Sequence, residues 1–279
     1  MKCNLFLSVG IIMGMAQLST AGGETKTGFV DFVYKGSEGE GKYVVFVPHD
    51  YKGDKAYPLI LFLHGAGETG TNGVKQTKVG LGPAIKKKEK SFPFIAVFPQ
   101  SQKRNWSADS NDGKRALAIL AGVQKNYKVD SKRIYLTGLS MGGYGTWSLA
   151  AKYPERWAAI APICGGVFLG KDAKDRADKL KKIAERIKDI PCWCFHGDAD
   201  KAVSVERSRE LISALKEAAA SPFTPNMPAS ATIPGTAPTA PPNCTIGFSS
   251  TSRNNLDREP EAQARQFSRT LRLPWRIFT

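Results

Sequence analysis

Histidine is scarce in this chain of 279 residues: only His49, His64 and His196 occur, and none follows His196. None of the three lies in a Cys/His cluster with the spacing of metal ligands. The sequence therefore predicts no metal site and no cofactor. It also leaves few candidates for a catalytic base in the second half of the chain.

Cysteine is also scarce, with five residues in all. This number and their scatter exclude a disulfide framework. Cys3 falls in a predicted leader, while Cys192 and Cys194 alternate along an apolar strand. Alternation places both side chains on one face of the strand, so we expect two small buried hydrophobic groups.

Only one long apolar run exists, from Leu5 to Leu18, and glycine and glutamine interrupt it. With Lys2 before it and Ser19-Thr20-Ala21 after it, residues 1–21 have the pattern of a signal peptide rather than a membrane anchor. No other run is long enough to span a bilayer. We therefore predict an exported protein, periplasmic or secreted, without a transmembrane span.

The net charge of +15 does not by itself indicate nucleic-acid binding. Its lysines are scattered or lie in amphipathic stretches such as 179–188, and no basic stripe interleaves with aromatic residues. We predict a solvated basic surface and no nucleic-acid partner. An anionic surface or substrate stays open.

Hydrophobic patterning predicts an α/β fold. Apolar and polar residues alternate over 28–35 and 42–48, which predicts an antiparallel hairpin at the edge of the sheet. Later apolar segments such as 57–63 and 94–98 are predicted strands, and amphipathic helices separate the later strands. This order is typical of a mostly parallel, doubly wound sheet with helices on both faces. Functional groups gather at the carboxyl ends of such strands, where His64, Ser140 and Asp200 fall.

The composition changes near residue 220. No lysine and no tyrosine follow Ala220, whereas nine of the 17 prolines do. We predict a domain over residues 22–219 and a tail over 220–279 that is disordered or frameshifted. If so, the last strand of the sheet and the last helix of the fold are expected to be missing.

The segment 134–147 carries the main chemical signal. An apolar run leads into Gly138-x-Ser140-x-Gly142, the pattern of a nucleophile elbow in which a strand turns sharply into a helix. Gly138 and Gly142 fit because strand and helix approach closely there. The pattern predicts that Ser140 is a nucleophile; the alternative is a glycine-rich loop that contains a serine.

Acyl transfer by serine also needs oxyanion donors and an acid–base pair. The amide of Met141 is one candidate donor, and Ala66 or Gly67 in the loop after the apolar strand is the other. We expect His64 to brace that loop rather than act as the base. Asp200 is the preferred acid of the two carboxylates in 196–200, and an alternative role for Asp198 is that of a turn residue bonding its own backbone.

Five segments resemble a known family: LFLHGAGETGTNG (61–73), FPFIAVFPQ (92–100), RIYLTGLSMGGYGTW (133–147), YPERWAAIAPICGG (153–166) and PCWCFHGDADKAVSVERSREL (191–211). Over about residues 27–219 the chain resembles exported α/β-hydrolase esterases, the group of predicted peptidases, feruloyl esterases and polyhydroxybutyrate depolymerases. The group also includes phospholipase/carboxylesterase-like proteins. The resemblance implies Ser140 as nucleophile, Asp200 as acid, and Met141 with the Ala66 loop as oxyanion hole.

The resemblance also implies a base on a Tyr-x-Gly-x-Gly-His loop after the last helix, and this chain has no such histidine. We expect a serine carboxylesterase, impaired by the missing base, whose partner is a small or polymeric ester. The alternative is an inactive, hydrolase-like binding protein.

A frameshift near residue 220 is a hypothesis that accounts for the missing loop. A shifted reading frame takes the third base of each codon over residues 232–239 together with the first two bases of the next codon. The codons in that frame permit Tyr, Pro, Gly, a variable residue, Gly, a small residue and His in order. We expect resequencing of the locus to show an alternative frame that encodes this loop. An intact frame through Thr279 with no histidine loop in any frame would refute the hypothesis.

Overall fold

The computed structural model describes residues 25–167, 173–220 and 244–248. The signal peptide predicted over residues 1–21, and nearly all of the tail predicted over 220–279, lie outside these ranges. No helix of the described ranges is long and apolar enough to cross a membrane.

Eight strands form one mixed sheet in the order β1-β2-β4-β3-β5-β6-β7-β8. The pairs β1–β2 and β2–β4 are antiparallel, and all other neighbouring pairs are parallel. The strands are β1 (Gly28–Gly36), β2 (Gly39–Val47), β3 (Tyr57–Leu63), β4 (Ile95–Pro99), β5 (Val129–Leu139), β6 (Ala159–Ile163), β7 (Cys192–His196) and β8 (Cys244–Phe248).

Five α-helices connect the strands: α1 (Leu81–Lys86), α2 (Asn111–Asn126), α3 (Met141–Lys152), α4 (Ala173–Ile187) and α5 (Glu206–Ala220). Helix α1 packs on one face of the sheet through Leu81 and Ile85, and the other four helices pack on the opposite face. Because β3, β4 and most of β7 are covered on both faces, their side chains are almost all buried. The predicted doubly wound sheet with an edge hairpin is confirmed.

The prediction that the last strand is missing is wrong. Residues Cys244–Phe248 pair in parallel with β7, with Cys192 opposite Cys244 and His196 opposite Phe248. The preceding sequence is rich in proline and threonine, so its composition did not indicate that a five-residue strand follows. This strand joins the sheet through backbone pairing. The second part of that prediction, that the last helix is also missing, concerns residues outside the described ranges.

A buried ion pair holds the segment after β4. The Asp112 carboxylate accepts hydrogen bonds from Ser101 Oγ at 2.5 Å and from the amide of Lys103 at 2.8 Å, and it pairs with Arg115. The side chains of Asp112 and Arg115 are 0% and 4% exposed. A buried charge whose partner is removed keeps its desolvation cost, so the segment 101–103 depends on this pair.

We expect Asp112→Asn to lower the free energy of unfolding by about 3–5 kcal/mol, because Arg115 is left buried without its counter-charge. Denaturant unfolding followed by circular dichroism measures the change. Asp130→Asn is a matched control, since Asp130 pairs with Arg133 at the same i,i+3 spacing but with 28% and 40% of the side chains exposed. That variant should lose no more than about 1 kcal/mol. Equal losses in both variants would contradict the prediction.

Candidate active site

Ser140 lies at a strained turn between β5 and α3. Its backbone has φ 53° and ψ −116°, which a non-glycine residue rarely adopts. Its amide donates to the carbonyl of Ile163 at 2.9 Å, which fixes the turn against the end of β6. Within the described ranges its hydroxyl forms no hydrogen bond, so Oγ is held at the apex of the turn with no partner there.

Gly138 and Gly142 allow this turn because there is no room for a side chain at either position. A Cβ on Gly142 would lie 1.9 Å from the carbonyl oxygen of Leu63. A Cβ on Gly138 would lie 2.5 Å from the carbonyl oxygen of Gly142 and 2.8 Å from that of Leu63. Both atoms are backbone and cannot rotate away, so the elbow requires glycine at these two positions.

Three amides are available near the serine. Ala66 and Gly67 lie in a 3-10 turn, Ala66–Glu68, directly after β3, and Met141 is the first residue of α3. None of these three amides donates to an acceptor within the described parts of the chain. The Met141 amide also lies at the positive end of the α3 dipole. The arrangement supplies unpaired donors of the kind that stabilise an oxyanion.

His64 supports the loop, as the sequence predicted. Its Nδ1 lies 2.6 Å from the carbonyl oxygen of Gly65, and its Nε2 accepts from the amide of Ser101 at 2.9 Å. Burial lowers the pKa of the imidazole, although the Gly65 carbonyl partly offsets this. With both ring nitrogens engaged and the side chain buried, His64 is not available to take a proton from Ser140.

Gln100 is a second support that the sequence analysis missed. Its Nε2 donates to the carbonyl of Glu68 at 2.9 Å and to Asn72 Oδ1 at 3.0 Å, and its Oε1 accepts from the amide of Gly73 at 2.7 Å. Gln100 therefore ties the loop that carries Ala66 and Gly67 to the end of β4. The sequence shows only a glutamine directly after the apolar run 94–98 and Pro99, which does not reveal its burial or its partners.

Asp200 lies in the turn after β7. Its Oδ1 accepts from the amides of Ala202 at 2.8 Å and Val203 at 3.0 Å, and its Oδ2 lies 3.6 Å from His196 Nε2. The hydrogen bond from the Val203 amide is the largest cause that lowers the pKa of the carboxyl; partial burial opposes it, and the Ala202 amide and His196 add to it. The group therefore stays ionised at neutral pH.

The alternative role for Asp198 is wrong. Asp198 Oδ1 accepts from Arg209 at 3.0 Å on an exposed surface, and it is Asp200 that bonds the backbone two and three residues on. The aspartate chosen as the acid thus also forms the turn. The spacing of the two residues alone did not separate these roles.

His196 is fully engaged at the end of β7. Its Nδ1 lies 2.7 Å from Ser208 Oγ, and its Nε2 lies 2.8 Å from the carbonyl oxygen of Val203. The third histidine, His49, contacts Thr27 and Glu89 on the surface near the β1–β2 hairpin. Across the residues that the structure describes, no histidine is hydrogen-bonded to Ser140.

Cys164 is a site residue that the sequence analysis did not single out. It follows β6 with a backbone φ of 40° and is half-buried beside the elbow. Its amide donates a hydrogen bond to the carbonyl oxygen of Phe195 at 2.7 Å. Burial raises the pKa of its thiol, and the nearby Asp200 carboxylate raises it further, while the Ser140 amide lowers it. Cys164 thus lies between the serine and the aspartate. Cys192 and Cys194 are buried in β7 as predicted.

We expect Gly142→Ala to destabilise the protein by about 3 kcal/mol, because the new methyl group collides with a backbone carbonyl. Gly67→Ala is a suitable control, since a Cβ there meets nothing within 4 Å. That substitution should change stability by less than about 0.5 kcal/mol. Thermal or denaturant unfolding measures both, and equal stability of the two variants would refute the packing argument.

The family model described as "Putative esterase" matches residues 37–224. Poly(3-hydroxyalkanoate) depolymerase C of Paucimonas lemoignei is 33% identical over 124 residues, covering 40% of this chain and 28% of that protein. "Probable feruloyl esterase C" of Aspergillus terreus is 26% identical over 133 residues, covering 47% of this chain and 48% of that protein.

A solved structure titled as a thermostable esterase superposes with a TM-score of 0.62 at 31% identity, covering 81% of this chain and 55% of that one. The chain thus spans between about a quarter and a little over half of the length of these similar proteins. The family model covers most of the chain, since its match begins at the β1–β2 turn and extends past α5. The chain therefore belongs to this α/β-hydrolase esterase family.

Proposed function

We propose that the chain is a serine hydrolase that cleaves carboxylic esters through an acyl-Ser140 intermediate. The observation that carries the proposal is the elbow: a strained Ser140 whose hydroxyl is unbonded in the described ranges, beside the available amides of Met141 and Ala66. This combination has a clear chemical use in acyl transfer and no evident structural one. Similarity to esterases supports the reaction class.

In the proposed reaction, Ser140 Oγ attacks the ester carbonyl carbon, and its proton passes to solvent water as the new C–O bond forms. The carbonyl oxygen becomes an oxyanion that the amides of Met141 and of Ala66 or Gly67 stabilise. The alcohol then leaves with a proton. Water attacks the acyl-serine, releases the carboxylic acid and restores the serine hydroxyl.

Asp200 is the proposed acid of the triad. Its carboxylate is ionised. Asp200 follows β7, and β6 lies between β7 and β5, the strand that leads into the elbow. An orienting carboxylate acts through a histidine, and this chain provides none after His196. Loss of the triad histidine alone lowers kcat by about 10⁶-fold in a well-studied case. We therefore propose slow turnover in this chain.

The proposed substrates are small or polymeric carboxylic esters, by similarity to a polyhydroxyalkanoate depolymerase and to feruloyl esterases. The proposal needs no metal and no cofactor. Export to the periplasm or the medium stays part of the proposal and rests on the pattern of residues 1–21.

A fluorophosphonate probe tests the nucleophile directly. Because no base activates Ser140, we expect slow covalent labelling of the wild-type protein that is lost in Ser140→Ala, detected by intact mass. A Ser148→Ala variant is a matched control, because Ser148 is a half-buried serine two turns along the same helix. Labelling that survives in Ser140→Ala, or no labelling at all, would overturn the proposal and favour a binding protein.

Exogenous imidazole tests the missing base. Added imidazole supplies a general base in solution, so we expect it to accelerate hydrolysis of 4-nitrophenyl acetate by the wild-type protein. Ser140→Ala with the same imidazole concentration corrects for direct attack by imidazole on the ester. Equal rates in the two proteins would show that Ser140 does not take part.

A further inference from the structure

A groove of about 820 Å³ runs along one face of α3. Helix α3 lines it through Met141, Tyr144, Ser148 and Lys152, spaced three or four residues apart. One end of the groove is therefore next to Ser140, and its other end is near the last turn of the helix. Twelve helical residues span about 18 Å, so the groove can hold more than the reacting ester group.

Its walls come from the segment after β4 and from the end of β6. The first contributes residues 103–109, and the second contributes Gly166 and Val167. Apolar side chains, including Trp106, Met141 and Ile183, form part of the lining. This composition suits an organic group rather than a bare ion.

The charged side chains of the groove are mostly cationic. Lys103, Arg104, Lys152 and Lys179 line it, and Asp109 is the acidic lining residue. Asp109 is already paired with Lys152. Lys103 and Arg104, in contrast, have no acidic partner within the described parts of the chain. The groove thus carries two uncompensated positive charges on its β4 side.

Buried groups fix the backbone that presents these two cations. The amide of Lys103 donates to Asp112 at 2.8 Å, and the amide of Ser101 donates to His64 at 2.9 Å. Asp112 and His64 are both buried. The side chains at 103 and 104 therefore extend from a fixed segment, which reduces the entropy lost when they bind a ligand.

We propose that this groove binds a carboxylate of the substrate, so that the esters taken by the site carry a negative charge away from the scissile carbonyl. Lys103 supplies a point charge, and the guanidinium of Arg104 can bind a carboxylate with two parallel hydrogen bonds. This deepens the ester hydrolysis proposed above and rests on it for the reaction. The binding itself requires only the groove.

Binding to Ser140→Ala protein, which cannot turn over the ester, tests the inference. The probes are two matched pairs of different length: monomethyl and dimethyl terephthalate, and monomethyl and dimethyl suberate. Ligand-observed NMR titrations give the four affinities. We expect the anionic member of at least one pair to bind about fivefold more tightly at low salt, with the difference shrinking at 0.5 M NaCl.

Two double variants test whether Lys103 and Arg104 cause the preference for the anionic monoester. Lys103→Gln with Arg104→Gln should abolish the preference for the monoester. Lys87→Gln with Lys90→Gln removes the same net charge from exposed positions just after α1, on the other face of the sheet, and should retain the preference. No preference in the parent protein, or equal loss in both double variants, would overturn the inference.

The two proposals fail separately. Fluorophosphonate labelling at Ser140 without charge-dependent binding would retain the hydrolase and remove the anionic subsite. Charge-dependent binding without labelling would retain the groove as an anion-binding site and remove the hydrolase.

Discussion

The backbone contact between Gly142 and the carbonyl of Leu63 is the constraint on which the candidate site depends. A Cβ at residue 142 would lie 1.9 Å from that oxygen, so α3 approaches the end of β3 as closely as a backbone permits. This approach places Ser140 in its strained conformation. It also brings the first turn of α3 next to the loop after β3, where the proposed oxyanion donors lie.

Strain at a serine persists only where the surroundings hold it. Three non-glycine residues of the described chain have positive φ: Arg104, Ser140 and Cys164. They follow β4, β5 and β6, at the same edge of the sheet. Buried polar groups account for much of the support, because His64, Gln100 and Asp112 bond the backbone of the adjoining loops. The hydrogen bonds of these three residues thus stabilise the geometry around the serine.

The elbow, the sheet and the polar turn after β7 could be predicted from sequence because each has a local signal. Gly138-x-Ser140-x-Gly142 follows an apolar run, and strand periods are visible in 57–63 and 94–98. Gln100 and Asp112 could not be assigned, since their partners lie up to 32 residues away and no local pattern shows a buried acceptor. Strand β8 was missed for a similar reason: its pairing with β7 is a backbone contact that composition does not reveal.

A serine hydrolase must both place its serine hydroxyl and activate it, and in this chain the two requirements depend on different segments. Placing the hydroxyl depends on glycine contacts and buried loop anchors, and all of these lie between β3 and the turn after β7. Activating the hydroxyl depends on a base, which the resemblance places on a loop after the last helix. No contact of Ser140 in the described residues involves the region beyond β7. In the proposed hydrolase, a change confined to that region would therefore remove the base without disturbing the placement of the serine. A formed but weakly reactive elbow is therefore the expected physical result.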